Sequence, residues 1–236
     1  MTKNDPPDSA ALKRAAAATA LDFVKEGMKL GLGTGSTAEA FLELLAPRVK
    51  GGLKITGVPT SERTAQKARK LSIPLASLDQ LAPLDLTIDG ADEADSDLNL
   101  IKGAGGALLR EKIVAASSKR MIVIADGSKF VKTLGAFTLP VEVLNFGHTT
   151  TAARIAAVAK AISGHDVPVT LRKNGDAPYT SDSGNVIYDC AFGKIADAPA
   201  LAAALSAIPG AVEHGLFIGI ATTLILARPT GIEILG

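Results

Sequence analysis

The sequence predicts an α/β fold with two parts: a Rossmann-like domain built on a parallel sheet, and a smaller α+β domain of the ferredoxin-like type. Three observations support this fold class. Helical periodicity alternates with apolar runs of strand length through the first half of the chain. The apolar runs of that half end in small or charged residues. The second half changes to the order β-α-β-β-α-β.

The first half alternates helices and strands in a regular order, which is typical of a parallel sheet covered on both faces. The predicted helices lie at 9–24, 37–49, 62–72 and 106–118, and the predicted strands at 28–33, 53–61, 84–93 and 120–129.

The second half predicts the small domain, at 134–208. Its strands are expected at 137–147, 167–175, 184–193 and 210–219, and its helices at 149–164 and 196–208, the first helix ending at Gly164. The last apolar segments, 222–227 and 232–235, are expected to return to the first domain as strands. The Rossmann-like domain would then comprise residues 1–133 and 209–236.

Composition and charge allow a folded enzyme and argue against a nucleic-acid-binding protein. The chain has 236 residues, of which 47% are hydrophobic, enough for one large core or two modest ones. Its formal net charge is +1, and no segment concentrates lysine or arginine. A nucleic acid requires such a basic footprint, so we expect none as a partner. A small anion needs only a few local cations.

Several features favour a cytoplasmic protein with no membrane partner. The single cysteine, Cys190, cannot form an internal disulfide, and it is interpreted either as a buried apolar residue or as a nucleophile. The N-terminal segment "MTKNDPPDSA" is expected to be a frayed tail, and it lacks the apolar core of a signal peptide. The apolar run "LFIGIATTLILA" is too short to span a bilayer.

Polar residues follow each predicted strand of the first half. They form the clusters "GTGST", "PTSERT", "DGADE" and "ADGSK". Because the carboxyl ends of parallel strands line the ligand crevice of an open α/β sheet, we expect these clusters to converge.

The glycine-rich loop "GLGTGST" precedes a helix and fits two interpretations. It fails the dinucleotide template because Ser36 stands where a third glycine is needed, and it lacks the lysine of a P-loop. Backbone N–H groups at the helix start, with the hydroxyls of Thr34, Ser36 and Thr37, suit a phosphate. The alternative is a tight turn with a helix cap and no ligand.

The acidic stretch "DGADEAD" is interpreted in two parts. Asp89 and Asp92, at the strand end, either contact sugar hydroxyls and move protons or have no role of that kind. Glu93, Asp95 and Asp97 are expected to form a solvated turn. A calcium loop is excluded because it would need glycine where this chain has leucine, and the three histidines show no zinc-ligand spacing. We therefore expect no metal.

The stretch "KGAGGALLREK" combines a cation, a glycine turn and a carboxylate. Lys102 precedes the turn and Glu111 lies in the following helix. A carboxylate in an apolar helix beside a closed pocket can act as a general base. The alternative is that Glu111 belongs to an exposed charged face with its two neighbours. Lys129 and Lys13 are either anion contacts or surface lysines.

Seven motifs in a fixed order resemble those of the A-type ribose-5-phosphate isomerase family. They are "GTGST", "DGADE", "KGAGGALLREK", "ADGSK", "LPVEV", "GNVIYD" and "PGAVEHGLF". Each motif is weak by itself, but the seven together cover nearly the whole chain, from about Leu12 to the last strands.

The resemblance implies interconversion of ribose 5-phosphate and ribulose 5-phosphate, in the pentose phosphate pathway. It implies a homodimer or homotetramer with no metal and no organic cofactor. Glu111 would abstract the proton, Lys102 would lie near the substrate oxygens, and Asp89 and Asp92 would handle hydroxyls and ring opening. The implied substrate-contacting positions are Thr34, Gly35, Ser36, Thr37, Asp89, Gly90, Ala91, Asp92, Lys102, Gly103, Ala104, Gly105, Lys129 and Lys13.

Two other functions compete with an isomerase. A non-catalytic sugar-phosphate sensor would be expected to carry a DNA-binding module, and no helix-turn-helix fits ahead of Leu12. An acyl-transfer enzyme of similar architecture would need a nucleophilic glutamate in a CoA-binding context, which the loop and the lysines do not require.

Overall fold

The computed structural model of the chain describes residues 9–236. Residues 1–8 of the predicted N-terminal tail lie outside the described residues, and Ser9 and Ala10 already belong to the first helix. The helices are α1 (Ser9–Leu21), α2 (Ser36–Lys50), α3 (Glu62–Lys70), α4 (Leu78–Leu81), α5 (Leu108–Ala116), α6 (His148–Ser163) and α7 (Ala198–Ser206).

The strands include every long one that the sequence predicts and several short ones that it does not. They are β1 (Lys29–Leu32), β2 (Thr56–Pro59), β3 (Leu86–Asp89), β4 (Glu93–Ala94), β5 (Leu100–Ile101), β6 (Met121–Asp126), β7 (Leu139–Val143), β8 (Val169–Leu171), β9 (Lys173–Asn174), β10 (Ala177–Pro178), β11 (Val186–Cys190), β12 (Ala211–His214), β13 (Leu216–Phe217), β14 (Thr223–Arg228) and β15 (Gly231–Leu235).

The described chain divides into two compact units. The first unit contains residues 9–91, 110–130 and 220–236, and the second contains 92–109 and 131–219. This division differs from the predicted domains because 92–109, 131–133 and 209–219 belong to the second unit. The reason is strand pairing: β13 pairs with β5, and β5 pairs with β4.

The first unit is built on a six-stranded sheet in the order β15-β14-β6-β3-β1-β2. The pairs from β14 to β2 are parallel, and β15 is added antiparallel at the edge. The last two strands therefore return to this sheet, as the sequence predicts. No helix within residues 9–236 has the length and apolar character needed to cross a membrane.

Alternation along the strands of the first unit supplies apolar side chains to both sheet faces. Leu30 and Leu32 of β1 pack in one core with residues of α1, α2 and the end of α3, including Ala16, Phe41 and Ala68. On the opposite face, Val114 of α5 packs with Val58 and Leu84. The parallel sheet is thus covered on both faces, and the predicted Rossmann-like class is confirmed.

The order of the parallel strands places a topological switch point between β1 and β3. From β1 the chain passes to β2 on one side, and it then returns to β3 on the other. Ligands of open α/β sheets bind outside the carboxyl ends of the strands at such a point. The loops that follow β1 and β3 are the "GTGST" and "DGADE" stretches.

The second unit contains a four-stranded antiparallel sheet in the order β12-β7-β11-β8. In chain order its main elements run β7-α6-β8-β11-α7-β12, which is the predicted βαββαβ arrangement. Leu139, Val141 and Val143 of β7 point to one face and pack with Ile155 of α6 and Leu201 of α7. Gly164 ends α6 with φ 76°, the left-handed conformation that glycine adopts most easily.

Candidate active site

The first glycine loop, residues 33–37, is fixed against the end of β3. Asp89 is fully buried, and its Oδ1 accepts the N–H of Thr34 at 3.0 Å and the N–H of Gly90 at 2.7 Å. A side chain at Gly33 would place Cβ 2.1 Å from that oxygen and 2.6 Å from the Asp89 Cα. Glycine is required here because the two strand ends approach so closely.

A cluster of hydroxyl groups supports the same loop from the α3 side. The Thr34 Oγ1 lies 2.8 Å from the hydroxyl oxygens of Thr60 and Ser61 and 3.1 Å from that of Thr64. Thr64 also donates to the Gly33 carbonyl at 2.9 Å, and Thr60 donates to the Leu32 carbonyl at 3.0 Å. The Thr34 hydroxyl is therefore engaged within the protein. The sequence signal was the "PTSERT" cluster, whose hydroxyls were not assigned a role.

The loop leads into α2 in a form that leaves the helix start open to an anion. Gly35 is the N-cap residue, with φ 106°, and no side chain caps the helix. Ser36 is exposed, and Thr37 is half-buried. The first N–H groups of a helix and its dipole both favour negative charge. These backbone groups and the two hydroxyls therefore remain the predicted anion contacts of this loop.

Asp92 belongs to the second unit and supports the second glycine loop, residues 102–106. Its Oδ2 accepts the N–H of Ala104 at 2.9 Å, and its own N–H donates to the Ile101 carbonyl at 2.8 Å. Asp89 and Asp92, three positions apart in the chain, therefore each accept an N–H from a different glycine loop. Gly90 and Ala91, which join them, are half-buried.

Lys102 is buried at the start of the second loop, where it is 2% exposed. Its Nζ lies 5.5 Å from the centre of the Phe217 ring, and its N–H donates to the Gly215 carbonyl at 2.9 Å. A buried ammonium beside an aromatic ring is a preorganised positive charge. The Lys102 side chain therefore lies in the interior of the second unit.

The loop that follows Lys102 uses glycine where the backbone requires it. Gly103 and Gly106 have φ of 110° and 74°, whereas Ala104 stays outside the left-handed region. Ala104 and Gly105 are exposed at the tip. Alanine at position 104 is therefore compatible with this loop, and the tip is open to a ligand.

Glu111 lies in the first turn of α5 and is buried, with 4% of its surface exposed. Its neighbour Arg110 points elsewhere and forms an ion pair with Glu62 at 2.9 Å. The alternative that Glu111 belongs to an exposed charged face is therefore wrong. A buried carboxylate is separated from bulk water, which suits a general base.

The two remaining predicted lysines lie in the first unit. Lys129 is half-buried in a short 3-10 turn, Gly127–Lys129, directly after β6, and Asp126 caps that turn by accepting the Ser128 N–H at 3.0 Å. Lys13 lies on α1 and is buried, 8% exposed. It is not a surface lysine.

One acidic residue contradicts the expectation of a solvated turn. Glu93 is buried, and its two carboxylate oxygens accept the N–H groups of Gly135 and Phe137, both at 2.6 Å. Asp95 does form a turn, since it accepts the N–H groups of Asp97 and Asn99. Glu93 therefore joins two segments of the second unit, and no local sequence signal indicated this.

Cys190 is buried in the core of the second unit. Burial, with a smaller contribution from the neighbouring Asp189 carboxylate, raises the pKa of its thiol to about 12. The thiolate is the nucleophilic form of cysteine, so this thiol is unreactive at neutral pH. Within residues 9–236, no group of three or more His, Cys, Asp or Glu side chains is placed to hold a metal ion.

Comparison with known proteins returns one family. The family described as ribose 5-phosphate isomerase A (phosphoriboisomerase A) matches residues 56–231. Ribose-5-phosphate isomerase A of Sinorhizobium fredii is 58% identical over 224 residues, covering 95% of this chain and 96% of that protein. The enzyme of the same name from Parvibaculum lavamentivorans is also 58% identical, over 94% of this chain and 96% of the relative.

Solved structures agree with these relatives. Ribose 5-phosphate isomerase from Plasmodium falciparum superposes with a TM-score of 0.91 at 37% identity, over 96% of this chain and 98% of that one. A D-ribose-5-phosphate isomerase in complex with phospho-erythronic acid superposes with a TM-score of 0.89, also at 37% identity and with the same coverage.

Proposed function

Because this chain belongs to the ribose 5-phosphate isomerase A family, we propose that it interconverts D-ribose 5-phosphate and D-ribulose 5-phosphate through an enediolate intermediate. The observation that supports this most strongly is 58% identity to a named isomerase over 95% of the chain. The alternative of a non-catalytic sugar-phosphate sensor is not favoured, because the named relatives are enzymes.

The reaction moves a proton between adjacent carbons of the open-chain sugar. Glu111 takes the proton from C2 and returns it to C1, and one carboxylate can serve both carbons when the intermediate is a planar cis-enediolate. Burial of Glu111 supports this role, since it separates the carboxylate from bulk water. A positioned acid–base group typically contributes about two to four decades in rate.

Lys102 stabilises the oxygen that becomes negative as the proton leaves. The ammonium is already buried and placed before the reaction, so little reorganisation is needed when charge develops. One preorganised donor of this kind is typically worth about 3 kcal/mol of barrier. The second loop, residues 102–106, contributes further contacts to the substrate from Gly103, Ala104 and Gly105.

The phosphate takes no part in the proton transfer and serves to hold the sugar. Backbone N–H groups of Gly35, Ser36 and Thr37 at the start of α2 would bind it, with the hydroxyls of the last two residues. Lys129 and Lys13 would supply positive charge. Holding the sugar in line with the base can lower the barrier by several kcal/mol, up to about 11 in the best cases.

The two aspartates at the β3 end bind sugar hydroxyls and assist ring opening, since the substrate arrives mostly as a ring. Asp89, with Gly90 and Ala91, follows β3, and Asp92 begins the second unit. Each carboxylate already accepts a backbone N–H, which fixes its orientation. A fixed carboxylate can accept a hydroxyl proton without first losing side-chain freedom.

We further propose that the protein acts in the cytoplasm as a homodimer or homotetramer, within the pentose phosphate pathway. The proposed chemistry uses side chains of this chain and no resident metal or organic cofactor. The partner is a small sugar phosphate.

The direct test is an assay with ribose 5-phosphate in the presence of a chelator. Ketopentose should form without added metal, and binding without turnover would instead favour the sensor. Run in heavy water, the reaction should introduce solvent deuterium into the recovered sugar. Absence of deuterium even after prolonged turnover would contradict the enediolate and indicate an internal hydride shift.

A further inference from the structure

The second glycine loop is held by an arginine that lies far away in the sequence. Arg172 directly follows β8, and one of its terminal nitrogens donates to the Gly103 carbonyl at 2.9 Å and to the Ala104 carbonyl at 3.3 Å. Its other nitrogens donate to the two carboxylate oxygens of Asp189 on β11, with Nε at 2.9 Å from Oδ2. All of these residues belong to the second unit.

The Arg172–Asp189 pair is well suited to fix a backbone. Its two side chains are only 15% and 23% exposed, so water competes weakly for the guanidinium. The fork-shaped contact with Asp189 fixes the plane of the guanidinium, and the remaining N–H groups then point to the loop. Hydrogen bonds from a charged donor are shorter and stronger than neutral ones.

Tyr179 completes this support. Its N–H donates to the Arg172 carbonyl at 2.8 Å, its ring lies 5.8 Å from the guanidinium carbon, and its hydroxyl donates to the Gly105 carbonyl at 3.4 Å. Burial raises the pKa of this hydroxyl, so it remains a donor at neutral pH. A Cβ at Gly106 would lie 2.2 Å from the same hydroxyl oxygen.

Three successive loop carbonyls, at residues 103–105, are therefore bound by two side chains from one strand connection. The Asp92 carboxylate binds the Ala104 N–H. The loop begins at Lys102, whose backbone N–H is bound by Gly215. The residues that follow the proposed oxyanion partner are thus held largely by side chains outside the loop, together with one internal hydrogen bond from the Gly106 N–H to the Gly103 carbonyl at 3.0 Å.

We propose that Arg172, oriented by Asp189, is a positioning residue that acts on the isomerase reaction through the second glycine loop and Lys102. This inference rests on the proposed function. Arg172 holds the loop in place and does not itself contact the reacting carbons. Removing it should leave the fold intact and displace the loop, and a misplacement of about 1 Å can cost about a hundredfold in rate.

The test compares Arg172→Ala with Lys102→Ala and with the double variant. We expect Arg172→Ala to lower kcat by about ten- to a hundredfold, while KM changes by less than about threefold. In the Lys102→Ala background the same change should cost less than about threefold, because coupled residues are non-additive. Lys160→Ala is the matched control, since its ion pair with Asp166 in the same unit is exposed.

Unchanged kcat in Arg172→Ala would overturn the proposal. So would full multiplication of the two single effects, which would indicate a structural role independent of Lys102. Should Arg172→Ala fail to fold, Asp189→Asn keeps the same test, because it releases the guanidinium without removing it.

Amide hydrogen exchange separates this proposal from the assigned function. The Ala104 N–H should exchange faster in Arg172→Ala than in wild type. Its exchange rate in Lys160→Ala should equal that of wild type. If the wild-type protein did not isomerise ribose 5-phosphate, the proposed function would fail, while this exchange measurement would still decide whether Arg172 holds the loop. Equal exchange in wild type and Arg172→Ala would reject it.

Discussion

The two glycine loops of this protein are held in place by different contacts. The first, residues 33–37, is held by neutral hydroxyl groups and by close packing of two strand ends. The second, residues 102–106, is held by the guanidinium of Arg172 and by Tyr179. In each case an aspartate near the end of β3 also accepts one loop N–H.

The difference teaches how far each loop depends on the rest of its unit. The hydroxyls that hold the first loop lie within about 30 positions of it, at the end of the next strand in the sheet. The arginine that holds the second loop lies 69 positions beyond Gly103 and needs an orienting carboxylate of its own. The first loop is therefore part of its sheet, and the second depends on a separate side-chain support.

The largest effect should come from a residue outside both loops. If the loops only bind and orient the substrate, Glu111→Gln should lower kcat by about two to four decades, because the base is lost. Sugar phosphate should still bind, because the side chain keeps its shape. Steady-state kinetics and a binding measurement check this. Glu43→Gln, which removes an exposed partner of Lys67, is the control and should turn over like wild type. Near wild-type turnover of Glu111→Gln would rule out this residue as the base.

The next prediction compares two glycine-to-alanine substitutions, in which the new Cβ is crowded against backbone atoms in one case and against a side chain in the other. Gly33→Ala forces a Cβ against the Asp89 backbone, so we expect a loss of about 1–3 kcal/mol of unfolding free energy together with most of the activity. Gly106→Ala meets only the Tyr179 ring, which can move aside, and should lose less stability. Urea denaturation measures both.

Gly27→Ala is the reference for Gly106→Ala. Its φ of 79° resembles that of Gly106, and nothing lies near its Cβ position, so it reports backbone strain alone. Equal stability losses in Gly106→Ala and Gly27→Ala would show that the Tyr179 ring moves aside at little cost, and a Gly33→Ala protein as stable as wild type would show that crowding against Asp89 is not important.

A smaller effect tests the hydroxyl cluster. Thr60→Val keeps the shape of the side chain but removes one of the two donors to the Leu32 carbonyl and one of the three hydroxyl neighbours of Thr34 Oγ1. We expect a loss of about 0.5–1.5 kcal/mol of stability. KM for the sugar phosphate should rise, with little change in kcat. Thr150→Val, at an exposed position on α6, should be neutral, and an equal loss there would remove the argument for the cluster.

The smallest effect is expected at Asp85, where a substitution should change stability but not activity. Asp85 accepts hydrogen bonds from the Lys119 ammonium and the Lys29 N–H, and these hold the pKa of its carboxyl below the ordinary value of 3.8. Its stabilising contribution is therefore present above that value and is lost as pH falls through the lowered pKa. Asp85→Asn should lower Tm near neutral pH without changing kcat. The difference in Tm should shrink in acid, and a difference that persisted at pH 2 would contradict this account.

The sequence was sufficient to predict the helices and strands that are long enough to show a residue pattern. Strands such as β6 and β7 contain apolar runs of strand length, and helices such as α2 and α6 contain enough residues to show helical spacing. The two-residue strands β4, β5 and β13 show neither. Their pairing places 92–109 in the second unit, so the unit boundaries could not follow from pattern alone.

Candidate site residues could be predicted where the residue type itself indicates the chemistry. The loops and Asp89 were predicted because glycine, hydroxyl and carboxylate residues follow apolar strands, and Glu111 was predicted because a lysine and a glycine turn precede its helix. Arg172 was not, because it lies in a polar connection, and its contact with Gly103 has no local pattern. Glu93 was taken for a solvated residue for the same reason: the N–H groups that it binds lie more than 40 positions away.

The chain crosses between the two compact units four times, after residues 91, 109, 130 and 219. Neither unit is therefore a continuous stretch of polypeptide. A single genetic crossover between related genes cannot transplant one unit as an intact module, since it would always divide at least one of them. To move either unit intact into a related chain, several separate segments would have to be exchanged together.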